Sequence, residues 1–477
     1  MIHPLKIYQY KRRCPGKINF RIILSFLLII CSEINAQTIS GSGYKQELFL
    51  PKYQYDKTIQ QQLSAGTEAS TWFDAAYYRL ELNILTQPNY LRGKVTIAGI
   101  CRKDSTRSLT LDLVNQMRID SVIVNSRKCT FIQNRNSFDI SLGRLFKFSD
   151  TLSIIVYYGG LPIATGLGSF VFDSHAGVPW IYTLSQPYGA KDWWPCKDDP
   201  GDKADSADII VTCDSNFKVG SEGILASVIE NGNGTSTYHW KERYPIASYL
   251  ISLAMTNYVQ FSNWFHYSQK DSMEVLNYVL PEHYDTAFQS LPRVIDMLSI
   301  FSDLFGMYPF IKEKYGHAEF GRGGAMEHQT MTSTTTFDEN VIAHELAHQW
   351  FGDMITCRTW SDLWLNEGFA QFATALYLER KYGTEAYWRY MNSQIDNAET
   401  AQGELGNPDT VNVRNLFDSR LVYSKGAAVL HMLRHVLGDS VFFLSLRQYA
   451  NDPALQYGTA STQDFRSICE RVSGKNL

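Results

Sequence analysis

No C-x-x-C pair occurs among the eight cysteines, which argues against a zinc site held by cysteine. A basic stripe is missing too. With 44 Lys and Arg against 48 Asp and Glu, the chain is slightly acidic at −4, the wrong balance for a nucleic-acid binder. No internal repeat and no long low-complexity tract interrupts it. The apolar run Ile22–Cys31 is too short to span a membrane comfortably. Charged residues make up only 19% and hydrophobic ones 44%, an ordinary balance for a soluble globular protein. What is plentiful is aromatic: 28 Tyr and 26 Phe suit sheets and large packed cores. A chain of 477 residues has room for two or three such cores.

The first 36 residues read as a targeting segment. Lys6, Lys11, Arg12, Arg13, Lys17 and Arg21 precede the run Ile22–Cys31, and Ile34-Asn35-Ala36 offers a cleavage site before Gln37. Export to the periplasm, the cell surface or the medium of a bacterium is expected, with no stable membrane span after cleavage. An uncleaved anchor and a lipoprotein signal at Cys31 are the alternatives, and Ile30 speaks against the second. Cleavage would remove Cys14 and Cys31. The remaining Cys101, Cys129, Cys196, Cys213, Cys357 and Cys469 could pair in fifteen ways, among which sequence does not choose.

Residues 37–70 carry Gln, Ser and Gly with little period and read as an extended arm. From Tyr77 the pattern alternates: Tyr78, Leu80, Leu82 and Ile84 are apolar with polar neighbours. Similar runs recur to about Met255, separated by turn signals such as Gln87-Pro88-Asn89 and Gly159-Gly160-Leu161-Pro162. Residues 71–260 are therefore expected to form one antiparallel β domain. Over residues 261–477 helical periods dominate, with helices expected at His283–Phe305, Asp362–Tyr382, about Glu385–Thr400 and Asp418–Leu437.

The chemistry is concentrated between Val341 and Glu367. His344 and His348 stand four residues apart, so on a helix both imidazoles reach one ion. Glu345 lies between them, placed to address a water on that ion without binding the ion itself. This is the two-histidine, one-base pattern of zinc hydrolases. A catalytic zinc takes three protein ligands and keeps one position open. Glu367, after eighteen intervening residues and on a second helix, is the expected third ligand. H-E-x-x-H alone is short enough to arise by chance. Glu367 and the apolar setting of Trp350, Phe351, Trp364 and Leu365 make the zinc reading specific.

Three further stretches bear on the site. Gly323-Gly324-Ala325-Met326-Glu327-His328 would let a peptide backbone pair with an edge strand and would offer Glu327 to a cation. A glycine turn with a solvated Glu is its bland alternative. Tyr423, in Leu421-Val422-Tyr423-Ser424-Lys425-Gly426, could stabilise an oxyanion or simply pack. His431 and His435 repeat the i, i+4 spacing without a Glu between them and read as a surface or packing pair.

Taken together, H-E-L-A-H-Q-W-F-G at His344–Gly352, W-L-N-E-G-F-A at Trp364–Ala370, Gly324–Glu327, Y-S-K-G-A at Tyr423–Ala427 and F-G-M-Y-P-F at Phe305–Phe310 resemble the zinc aminopeptidases of the aminopeptidase N family, which are gluzincins. The resemblance runs from about Tyr77 to the end. It implies a saddle-like antiparallel β domain followed by a thermolysin-like, mainly helical zinc domain, and one Zn2+ per chain. By the same resemblance Glu327 binds the free α-amine of a peptide and Gln186 lines the first pocket. Gly324, Ala325 and Met326 meet the substrate backbone, and Tyr423 donates to the oxyanion. The sequence departs from the family's commonest form at His328, where Asn is usual. The resemblance also implies a helical C-terminal domain in many relatives; the sequence ends at Gly474-Lys475-Asn476-Leu477, inside what the resemblance makes a longer segment, as either a truncated sequence or a naturally short form. Two competing readings use the same residues: a zinc endopeptidase, and a peptide-binding module without turnover.

Overall fold

A computed structural model describes residues 66–406, 410 and 412–477. The expected signal segment 1–36, and the arm as far as residue 65, lie outside the described residues. The alternation read from sequence is realised in β1 (Phe73–Thr86), where Tyr78, Leu80, Leu82 and Ile84 are buried between more exposed neighbours. This strand is central in an eight-stranded sheet. The order is Ile224–Glu230, Thr235–Glu242, β2 (Ser206–Asp214), β1, Asn89–Cys101, Thr151–Gly160, Arg118–Val124 and Arg127–Cys129. The pairings are antiparallel with one exception: β1 and β2 run parallel, Leu80 opposite Ile209 and Leu82 opposite Val211. Periodicity reports which face of a strand is buried but not its direction, so this pair was invisible in the sequence. Smaller sheets, among them Val178–Leu184 with Ser169–His175, continue the β-rich half.

A hairpin of β3 (Val259–His266) and β4 (Ser272–Val279) opens a second, five-stranded sheet. β5 (Lys314–Glu319) runs parallel to β4, then β7 (Thr332–Thr334) parallel to β5. The last member, β6 (Ala325–Met326), pairs antiparallel with β7 and forms the edge of the sheet.

The expected helix His283–Phe305 is broken. Tyr284–Ser290 is helical, Leu291–Arg293 tightens to a 3-10 turn, and α1 (Val294–Phe305) follows. Pro292 is the cause: it has no N–H for the ladder, and its ring crowds the preceding turn. Downstream, α2 (Glu339–His348) is capped by Asp338, whose carboxylate accepts from the Asn340 and Val341 amides. α3 (Trp364–Tyr382) begins after a 3-10 turn at Trp360–Asp362 and is buried on every side from Trp364 to Tyr377. The helix expected over Asp418–Leu437 is two pieces: a π-helical segment, Ser419–Lys425, and α4 (Gly426–Leu437). Wide π turns inside helices recur at functional positions, and Tyr423 lies in this one.

α3 and α4 meet through glycine. A Cβ built on Gly368 would lie 2.8 Å from the Gly426 Cα, and one on Gly426 would lie 2.8 Å from the Gly368 Cα. The two backbones touch, which brings the π segment against the helix that carries Glu367. All six cysteines among the described residues are buried free thiols, so no disulfide of the fifteen arrangements is formed. No helix among the described residues is long and apolar enough to cross a membrane.

Gly426→Ala inserts a methyl where no space exists. It is expected to cost about 1–3 kcal/mol, the usual penalty of overpacking, read as a lowered urea midpoint. An unchanged midpoint would show that the helices do not depend on this contact.

Candidate active site

α2 presents His344 and His348 on one face, and α3 brings Glu367 to them. The His344 and His348 Nε2 atoms are 3.0 Å apart. Glu367 Oε2 lies 3.4 Å from the first and 3.3 Å from the second. Ligands about 2.0–2.1 Å from a tetrahedral zinc are separated by about 3.3 Å, so the three atoms trace one face of a zinc tetrahedron. All three side chains are buried.

The ring of His348 is oriented from behind. Its Nδ1 donates to the Phe351 carbonyl at 3.0 Å, which leaves the Nε2 lone pair facing His344 and Glu367. Gly352 makes room for this. Its φ is +139°, and a Cβ there would stand 3.1 Å from His348 Nδ1.

The electrostatics ask for a cation. Burial acts to lower the His348 pKa, yet the carboxylates of Glu327, Glu367 and Glu345 overcome it and push the pKa up to about 10. His344 is pulled down to about 4, by burial first and by His348 as well, against the opposing pull of Glu367 and Glu327. One positive charge is thus favoured among these groups, and a second proton is not. A divalent ion answers the same field without that conflict. The donor set, the spacing and the charge all fit zinc.

Beside the triad, Glu327, Glu345 and His348 offer atoms within 4.8 Å of one another. Glu327 directly follows the edge strand β6 and is fully buried. Gln186, from the β-rich half, donates its Nε2 to Glu327 Oε1 at 3.1 Å. The structure therefore brings Gln186 and Glu327 together across 141 residues of sequence. Gly324 adopts φ +92° and exchanges hydrogen bonds with Thr335, and Ala325 and Met326 pair with Thr334 and Ser333. Tyr423 is nearly buried and stacks on His344, with ring centroids 5.9 Å apart and planes at 18°. His328 is buried, its Nδ1 2.8 Å from Ser333 Oγ. His431 pairs with the Tyr387 hydroxyl at 2.6 Å and packs on His435, and neither belongs to a metal-ligand cluster among the described residues.

Several supporting residues escaped the sequence reading. Gln349 accepts from the Thr330 amide at 2.9 Å and the Tyr308 hydroxyl at 3.2 Å, and donates to Asp353 at 2.6 Å. Burial, then the charge of Glu327, drives the Asp353 carboxyl well above its ordinary range, against the pull of His348 and Lys203. Asn366 accepts from the Cys357 amide at 3.1 Å, anchoring the start of α3. Three of these, Gln349, Gly352 and Asn366, stand inside the motifs themselves. That position was the available signal.

Known proteins resemble this chain in sequence and fold. Residues 74–250 match the peptidase M1 N-terminal domain, and residues 320–477 match the peptidase family M1 domain. The chain is 28% identical over 291 residues to endoplasmic reticulum aminopeptidase 1 of Mus musculus, a match covering 56% of this chain and 31% of that protein. It is 26% identical over 448 residues to aminopeptidase A of Gloydius brevicauda, covering 84% and 45%. Over 151 residues it is 34% identical to aminopeptidase N of Lactococcus lactis subsp. lactis, covering 29% and 17%. The chain thus spans less than half the length of these relatives. Among solved structures, an M1 zinc metallopeptidase from Deinococcus radiodurans superposes with a TM-score of 0.74 at 25% identity, covering 85% of this chain and 92% of that one. A mutant of that enzyme has been solved bound to a Tyr-Ser-Ala substrate.

After chelation and zinc return, the protein is expected to retain one zinc per chain through dialysis, and Glu367→Ala to lose it. Full occupancy of the dialysed variant by atomic absorption would exclude Glu367 as a ligand.

Proposed function

We propose that this chain, which belongs to peptidase family M1, is a zinc aminopeptidase that removes residues from the free N-terminus of peptides. The observation that carries the reading is Glu327, held by Gln186 and placed beside the His344, His348 and Glu367 triad. A buried carboxylate there fits a substrate ammonium group, and an anchored ammonium lets only the first peptide bond reach the metal. That restriction separates an aminopeptidase from an endopeptidase built on the same triad.

His344, His348 and Glu367 hold the zinc, which when bound supplies Lewis-acid polarisation and activates water. Glu345 takes the proton of the attacking water and returns it to the leaving amine. Tyr423 donates to the oxyanion that develops on the scissile carbonyl. Gly324, Ala325 and Met326 offer the edge of a sheet to the substrate backbone. The Tyr-Ser-Ala complex of the Deinococcus relative makes a short peptide with a free amine the first substrate to try.

Residues 71–260 form the N-terminal β domain in this reading, and residues 261–477 the catalytic domain. The change of sheet at the β3–β4 hairpin supports that division. The basic and apolar pattern of residues 1–36 supports export by a cleaved signal peptide.

A panel of fluorogenic aminoacyl substrates, with an N-blocked set in parallel, tests the activity. Zinc-restorable cleavage of only the free-amine set is expected, and Glu345→Gln should keep zinc while losing about 10²–10⁴-fold in kcat. Cleavage of blocked substrates would establish an endopeptidase instead, and wild-type turnover by Glu345→Gln would remove the base. Tyr423→Phe is expected to lower kcat by about 10²–10³-fold with a smaller change in KM, as for an oxyanion donor. An unchanged kcat would leave Tyr423 a packing residue.

A further inference from the structure

The segment after α2 folds back on its own helix. Asp353 N donates to His348 O at 3.0 Å, Met354 N to Gln349 O at 3.1 Å, and Ile355 N to Trp350 O at 3.3 Å. Gly352 N closes the turn on Ile355 O at 2.8 Å. Within this loop Phe351 presents the carbonyl that receives His348 Nδ1–H. The position of one backbone carbonyl therefore sets the direction of a metal-ligand lone pair.

The loop is secured from outside its own half of the molecule. Lys203 lies on a two-residue strand, Lys203–Ala204, that pairs with Ile246–Ala247. Its Nζ donates to the carbonyls of Asp353 at 2.6 Å and Met354 at 3.1 Å. Tyr249, buried on the turn Ser248–Leu250, donates to Gly352 O at 3.4 Å and accepts from Asn366 Nδ2 at 3.5 Å. Trp360 packs edge-on against its ring at 5.0 Å. Three successive carbonyls, those of Gly352, Asp353 and Met354, are thus held by side chains of the β-rich half. The carbonyl just before them is the one that aims His348.

We infer that Lys203 and Tyr249 are positioning residues for the metal site, acting on His348 through the loop at residues 351–354. The β-rich half then does more than line the substrate pocket: it tunes zinc affinity. This rests on the zinc reading above and extends it to residues that touch neither metal nor substrate. Outer partners of metal ligands affect metal affinity by about 10–100-fold, and a loss near the lower end is expected for groups one step further out.

The test uses the full chain with Lys203→Met, Tyr249→Phe and a control, Val211→Ala in the core of β2. Zinc affinity is measured by competition with a chelator, ligand geometry by the visible spectrum of the cobalt-substituted protein, and stability by thermal melting. Lys203→Met and Tyr249→Phe are each expected to weaken zinc by about tenfold and to shift the cobalt bands. Val211→Ala should lower the melting temperature and leave both unchanged. Folded variants with wild-type zinc affinity and cobalt spectrum would overturn the inference and leave both residues as structural contacts. Should Lys203→Met not fold, Tyr249→Phe decides by the same criteria. A wild-type chain that binds no zinc would overturn the metal reading, and this inference with it. Zinc-binding wild type beside unaltered variants overturns the inference alone.

Discussion

Two imidazole nitrogens and a carboxylate oxygen, all on buried side chains, are held within 3.4 Å of one another. Lone pairs so arranged repel unless a cation sits among them, and burial removes the water that would otherwise screen the repulsion. The architecture is the means by which that arrangement is imposed. α2 supplies two donors at one spacing, and α3 supplies the third because its buried surface leaves it no other place to lie. The close contact of Gly368 with Gly426 ties α3 to the segment that carries Tyr423.

The candidate site was legible where chemistry is local. The four-residue spacing of His344 and His348 states a helical face, and the motif around Glu367 states its partner. Gln186 was reached only through the resemblance, since nothing in its own neighbourhood marks it. Its contact with Glu327 is made between the two halves of the chain. The fold was legible where burial alternates, as in β1, and less so where direction or backbone irregularity decides. The parallel pairing of β1 with β2 leaves no trace in periodicity. The expected helix His283–Phe305 was read through Pro292, which carried the signal for the break that the structure shows at Leu291–Arg293. The π turn at Ser419–Lys425, which packs against α3 and Thr384–Glu399, falls in a sequence that reads as plain helix. Lys203 carries no sequence signal at all, because its partners are backbone carbonyls 150 residues away.

The division of labour between the halves follows from the same contacts. The helical half owns every candidate metal ligand and the candidate base. The β-rich half owns Gln186, Lys203 and Tyr249, which bond to Glu327 and to the loop behind His348. Each half by itself would hold an incomplete site.

The edge strand β6 is only two residues long. Hydrogen bonds from such an edge are made to main-chain groups, which every amino acid presents alike, so a peptide laid against Ala325 and Met326, as proposed, would be gripped without being read. Under the proposed aminopeptidase reading, the body of a peptide would then be tolerated broadly and discrimination would fall to its first side chain. The shortness of the edge matters as well. Long open edges recruit strands from neighbouring proteins and aggregate, whereas two residues offer too little ladder to nucleate a sheet.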